Sequence, residues 1–130
     1  RHFGEAIAAP LFGFIADKAG PLKVFTIAAV LTTCGFIMVA VGFTVAGAII
    51  MLIFRGALAS LGPAVIVNNL DQDQDAISPL ARMQAWRDLG AAIGPLTTGF
   101  LLTAVSAETL HASVAIMLSL TLLYWAKLFR

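Results

Sequence analysis

Residues 24–54 read VFTIAAVLTTCGFIMVAVGFTVAGAIIMLIF, and from Val24 to Phe54 there is no Asp, Glu, Lys or Arg. About 20 apolar residues in a helix cross a hydrocarbon core of about 30 Å. The stretch is too long for one such crossing, and Gly42 and Gly47 mark a break near its middle. Backbone in lipid must satisfy its own hydrogen bonds, which a helix does within itself. The reading is therefore two membrane helices, about 21–41 and about 46–67, joined by the uncharged turn Gly42–Gly47.

Working outward on the N-terminal side, a polar turn runs from Asp17 to Lys23 and contains the breaker pair Gly20-Pro21. Before it lies an apolar stretch, 3–16, which at about 1.5 Å per residue reaches only about 21 Å. It is read as the end of a truncated helix. A secretory signal would suit the basic start, but Pro10, Gly13 and Asp17 stand where a small-residue cleavage site is wanted. On the C-terminal side, Asn68 to Pro79 reads as a polar loop. A fourth helix starts near Ala81 or Met83 and forms a span over 83–105. Ser106 to Glu108 is a short turn, and a fifth helix spans 110–128.

The composition excludes several classes. Hydrophobic residues make up 60% and charged residues 12% of the 130 positions, against about a quarter charged in a soluble domain. A net charge of +1 gives no basic footprint for nucleic acid, and Cys34 alone cannot close an internal disulfide. If the spans alternate, Lys18, Lys23, Arg82, Arg87, Lys127 and Arg130 share one side, while the other receives the uncharged Gly42–Gly47 turn and a turn with one acid. Cytoplasmic loops carry the excess of Lys and Arg. The C-terminus is therefore expected in the cytoplasm, with Trp86, Tyr124 and Trp125 as aromatic anchors at that interface.

Three groups of residues carry more than a span. The first is Gly13, Asp17, Lys18, Gly20 and Lys23 around the first polar turn. A Gly near a helix end permits close approach of a neighbouring backbone, and Gly20 permits a tight reversal. An acid at a helix boundary can pair with a basic residue or with a helix N-terminus. The second is Arg55, about nine residues inside its span, followed by Gly56, Ser60 and Pro63. A charge there costs about 2.5 kcal/mol or more, so it must face the bundle interior or a wet cavity. Arg55 either serves a substrate or proton-coupling site or bonds helix-end carbonyls of neighbouring helices. Gly56, Ser60 and Ala64 make a small-residue face, and Pro63 should bend the helix. The third is Arg87, Asp88, Gly90, Gly94, Pro95 and Gly99. Gly90 and Gly94 form a GxxxG packing face, and Arg87 and Asp88 point in different directions.

These groups, in this order, resemble the major facilitator superfamily. The first resembles its signature loop of Gly, apolar residues, Asp, a basic residue, any residue, Gly and then basic residues. Pro21 departs from it, standing where a basic residue is usual. Arg55-Gly56 with Gly62-Pro63 resembles the fourth helix of a facilitator half. Gly90, Gly94 and Pro95 after Arg87-Asp88 resemble the fifth. The resemblance implies an all-α polytopic transmembrane bundle, part of a six-helix half, covering either helices two to six or eight to twelve. Pro21 and the end of the chain soon after its last helix favour the second half. It also implies a bacterial inner-membrane secondary transporter that moves a small solute by alternating access, as efflux pump, symporter or antiporter. Asp17 would latch the cytoplasmic side through Arg87 or the N-terminus of the Gly90 helix, and Gly90, Gly94 and Pro95 would form the sliding seam. The partners implied are a small-molecule substrate, the lipid bilayer and the transporter's remaining helices.

Glu5 lies about 18 Å up the first helix from Asp17, where an intramembrane acid is a proton-site candidate and a solvated rim acid the alternative. His111 is expected to be solvated at the outer interface, and Cys34 to be a small packing residue. Asp71, Asp73 and Asp75 resemble the start of a calcium loop, but Ala76 stands where that loop needs Gly and no bidentate Glu follows. They read as a solvated loop. No catalytic constellation, metal-ligand cluster or cofactor motif is found, and no nucleic-acid partner is expected. A non-transporting membrane scaffold associating through GxxxG packing is the reading from another class.

Overall fold

The computed structural model describes the backbone of residues 2–70 and 75–128, and side-chain surroundings within 10–70 and 75–127. The fold is all-α: α1 His2–Ala19, α2 Pro21–Ala40, α3 Thr44–Asn68, α4 Ile77–Leu101 and α5 Ala107–Leu128. Among the described residues there is no strand. Three helices, Pro21–Ala40, Thr44–Asn68 and Ala107–Lys127, are long and apolar enough to cross a membrane.

The turns are shorter than the sequence suggests. The expected polar turn from Asp17 is still helix as far as Ala19, so Asp17 and Lys18 lie in the last turn of α1. Gly20 alone separates α1 from α2, at φ +91°, and Pro21 takes the first position of α2. Its fixed φ and missing N–H suit that position. The Gly42–Gly47 turn contracts to Val41–Phe43. There Phe43 N–H donates to Met38 O at 2.8 Å and Gly42 N–H to Val39 O at 3.1 Å, with Gly42 at φ +95°. This is a Schellman ending, which satisfies the last carbonyls of α2 and reverses the chain.

α4 is displaced from its expected span of 83–105. It begins at Ile77, whose N–H donates to Asp75 Oδ1 at 3.0 Å. Pro79 falls in the first turn, where no N–H is needed, and so does not stop the helix. At the other end Thr103 and Ala104 N–H groups bond back three residues, to Phe100 O and Leu101 O, and the helix stops at Leu101. Its uninterrupted apolar part, Leu89–Leu101, is short, and α4 is not among the three helices apolar enough to span. Ser106 caps α5, its Oγ accepting Thr109 N–H at 3.3 Å.

α2 and α3 form an antiparallel hairpin at the centre. α1 leans on both, α5 lies against α2, and α4 makes its main contact with α3. Small residues set the hairpin's spacing: Ala28, Thr32, Gly35 and Val39 of α2 are buried, as are Gly47, Gly56, Ala57, Leu61 and Val65 of α3. The tightest approach is at Gly35 and Gly47. A Cβ on Gly47 would sit 2.6 Å from Gly35 O and 2.7 Å from Val39 Cγ2. Without a hydrophobic drive between helices in lipid, such close contact is what holds them. At the other end of the hairpin, Ala16 of α1 packs with Val24 and Leu61, flanked by Phe12 and Phe25.

Candidate functional site

Two hollows border the residues singled out from the sequence. The first, about 620 Å³, lies where α1 ends, α2 begins and α3 passes. Gly13, Asp17, Gly20 and Pro21 line one side, and Ser60, Ala64 and Asn68 the other. Asp17 is exposed at its edge because the last turn of α1 buries Ala16, its neighbour, and turns Asp17 outward. The hollow therefore joins one of the three sequence groups to another: Gly13, Asp17 and Gly20 from the first, Ser60 from the second. Gly13 leaves room rather than a contact, since a Cβ there meets nothing within 4 Å.

The other members of the first group face elsewhere. Lys18 places its ammonium 4.3 Å from the centre of the Phe14 ring, one turn back on α1. That is a cation–π contact along one helix face. Lys23 lies on the side of α2 that faces α5, with Leu22, Leu122 and Trp125.

The expected partners of Asp17 are on α4. Arg87 is exposed and is not among the walls of the Asp17 hollow. Asp88 accepts a hydrogen bond from Gln84 Nε2 at 2.9 Å on its own helix. The helix that carries Gly90 starts at Ile77, whose N–H already donates to Asp75 Oδ1, so Gly90 itself is mid-helix.

The second hollow, about 400 Å³, lies midway along the hairpin and is lined in part by Arg55, which is exposed at its edge rather than enclosed in the bundle. Thr32 and Phe36 of α2 and Ala48, Met51, Leu52 and Leu58 of α3 complete it. Among the described residues no carboxylate lines it, and its walls are mid-helix residues, so helix-end carbonyls are not among them. Thr32 Oγ1 donates to Ala28 O at 2.8 Å, within its own helix. Gly56, next to Arg55, is buried.

The third group is uncovered. No residue of α4 is buried, and Cβ atoms placed on Gly90, Gly94 or Gly99 meet nothing within 4 Å. Leu96 and Phe100 on the same helix are 76% and 75% exposed. Thr97 Oγ1, just after Pro95, bonds Ile93 O and Gly94 O at 3.1 and 3.0 Å. Pro63 lies inside α3, one residue after Gly62, whose Cβ would stand 3.3 Å from Met83 Sδ of α4.

Glu5 lies outside the described side chains, and Asp71 and Asp73 outside the described residues. Cys34 is exposed, a correction to its expected packing role, because Thr33 and Gly35 take the two buried faces beside it. His111 is half-buried rather than solvated. Its ring lies 5.8 Å from that of Phe36, and Nδ1 is 2.6 Å from Ala107 O. The sequence reading placed Gly47 in a turn and passed over Gly35. The two lie six residues either side of Val41, and equal distance from a hairpin's turn is the signal that pairs them.

Among the described residues no group of His, Cys, Asp and Glu is placed to hold a metal ion. No curated protein and no solved structure matches the chain. The family model of the Major Facilitator Superfamily matches residues 3–130, the region that holds all three motif groups and the three spanning helices. The chain is a multi-pass membrane segment that belongs to the Major Facilitator Superfamily of transporters.

Proposed function

We propose that this chain is the greater part of one half of a secondary active transporter that moves a small solute across the inner membrane by alternating access. The observation that carries the reading is the uncovered glycine face of α4 beside a well-packed hairpin. A face of Gly90 and Gly94 with open space over it suits a seam against which a second half slides. Arg55 belongs to the solute cavity in this reading, supported by a mid-helix hollow that holds no carboxylate among the described residues. Asp17, at the edge of its own hollow, belongs to the cytoplasmic gate and meets Arg87 only in the closed state. Pro21 in the signature loop supports assignment to helices eight to twelve. In this reading α4 crosses the membrane too, its polar start sheltered by helices of the other half, and Lys18, Lys23, Arg82, Arg87 and Lys127 lie on the cytoplasmic side. Proton coupling through Glu5 belongs to the same proposal. A Glu5→Gln protein that kept full proton dependence would remove it.

The test uses membrane vesicles containing the full-length protein, screened for solute uptake or efflux. Arg55→Ala should abolish transport without lowering the amount of protein in the membrane. Undiminished transport would take Arg55 out of the cavity. Asp17→Asn should shift the balance between inward- and outward-open forms in site-specific accessibility labelling, and an unchanged pattern would sink the gate. Normal membrane insertion with no solute flux under any gradient would favour the scaffold reading.

A further inference from the structure

We propose that the cleft between α2 and α5 holds one anionic phospholipid, with an acyl chain between the helices and its phosphate at Lys23. The cleft begins as a hollow of about 310 Å³ walled by Phe25, Ala29 and Thr33 of α2, Leu118 and Thr121 of α5 and Leu58 of α3. It continues into a second hollow that shares Thr26, Leu122 and Trp125 with the first and ends at Leu22 and Lys23. The first is at the small end of the range for ligand pockets, roughly 300–1,000 Å³.

Its walls are apolar for a definite reason. Four threonines face it, and each hydroxyl donates to the carbonyl four residues back: Thr26 to Leu22 O, Thr32 to Ala28 O, Thr33 to Ala29 O and Thr121 to Met117 O, at 2.8–2.9 Å. The hydroxyls are turned into their helices, and methyl groups are left to the cleft. Such a wall suits a hydrocarbon chain and not a polar solute.

The open end has the opposite character. Lys23 is exposed and lines the cleft with Leu122, Trp125 and Ala126. α5 runs antiparallel to α2, so Lys127 in its last turn lies at the same end. The first turn of α2 carries no acid to neutralise Lys23, and Asp17 borders a different hollow. Two lysines at the mouth of an apolar slot, at the end of two membrane helices, are complementary to a phosphate with an acyl tail. Basic residues between helices at the membrane surface recognise anionic headgroups in this way. Lys23 thus has a role apart from the signature loop that contains it. The inference rests on the chain lying in a membrane and not on the gate, and transport is not among its readouts.

The test is native mass spectrometry of the delipidated full-length protein titrated with dioleoyl phosphatidylglycerol. One tightly retained adduct is expected. Lys23→Gln should lower its occupancy about five-fold, and Lys23→Arg should restore it. Ala29→Phe should remove it with Lys23 in place, by filling the slot. Dioleoyl phosphatidylcholine should bind the native protein no better than phosphatidylglycerol binds Lys23→Gln. Equal retention of the two lipids, or of phosphatidylglycerol by native and Ala29→Phe proteins, overturns the proposal. So does a Thr26→Cys protein that cross-links to another segment of the same polypeptide, because the cleft would then be filled by protein.

Discussion

The molecule contains two pairs of glycines on apolar helices, and they meet opposite surroundings. Gly35 and Gly47 lie on different helices and bring two backbones together, so that neither has room for a methyl group. Gly90 and Gly94 lie on one helix in the familiar GxxxG spacing, and both open onto empty space. The first pair is part of the folding of this chain. The second has no such contact among the described residues, and in the proposed reading it serves whatever comes against α4. Spacing along one helix shows that a face is smooth. It does not show that the face is covered from within the same chain.

The contrast can be broken most directly at Gly47. A valine there would drive its side chain into Gly35 O and Val39, and backbone cannot move aside as a side-chain tip can. We expect a loss of about 3 kcal/mol, read as a lowered midpoint in denaturant titration of the full-length protein in detergent. An unchanged midpoint would mean that the hairpin is not held at this crossing. Next comes Gly94→Leu. The five helices should pack as before, while transport should fall about five- to 150-fold, from an overpacking cost of about 1–3 kcal/mol at the seam. A variant that fails to fold but is rescued by a second change within α2 or α3 would place Gly94 in the same class as Gly47. The smallest effect is expected at Gly62, where an added methyl would stand 3.3 Å from Sδ, near the flexible end of Met83. Gly62→Ala should change the melting temperature by the equivalent of less than about 0.5 kcal/mol, because the Met tip yields and alanine favours the helix. A large loss would show that α3 and α4 meet more tightly there than Met83 implies.

Much of this was legible because charge in a membrane segment is scarce and its placement is forced. The empty stretch from Val24 to Phe54 already marks a hairpin of two helices, and the three motif groups, in order, mark the family. Helix ends were less legible. Asp17 and Lys18 have the character of turn residues, yet polar residues at the end of a helix cost it little. Pro79 has the character of a barrier, yet a proline in a first turn is not one. The contacts of the candidate site were the least legible part. Lys23 sits in the signature loop by spacing, but helix rotation carries it to the far side of α2 from Asp17. Arg55 was recognisable from its depth in α3 alone, and it stands exposed at the hollow it lines. Its companions Thr32 and Phe36 were not, because they come from another helix and follow only from the crossing at Gly35 and Gly47.

Gly20 has a mechanical consequence. Its N–H closes the last turn of α1 on Ala16 O, and its carbonyl receives Val24 N–H in the first turn of α2. Both of its backbone groups are committed, and no slack residue stands between the two helices. α1 and α2 form a bent rod with a single left-handed joint, at which any side chain would be strained. A tilt that begins at Asp17 is not absorbed in a loop. It is delivered as a lever movement to the far side of α2, where the lipid cleft begins.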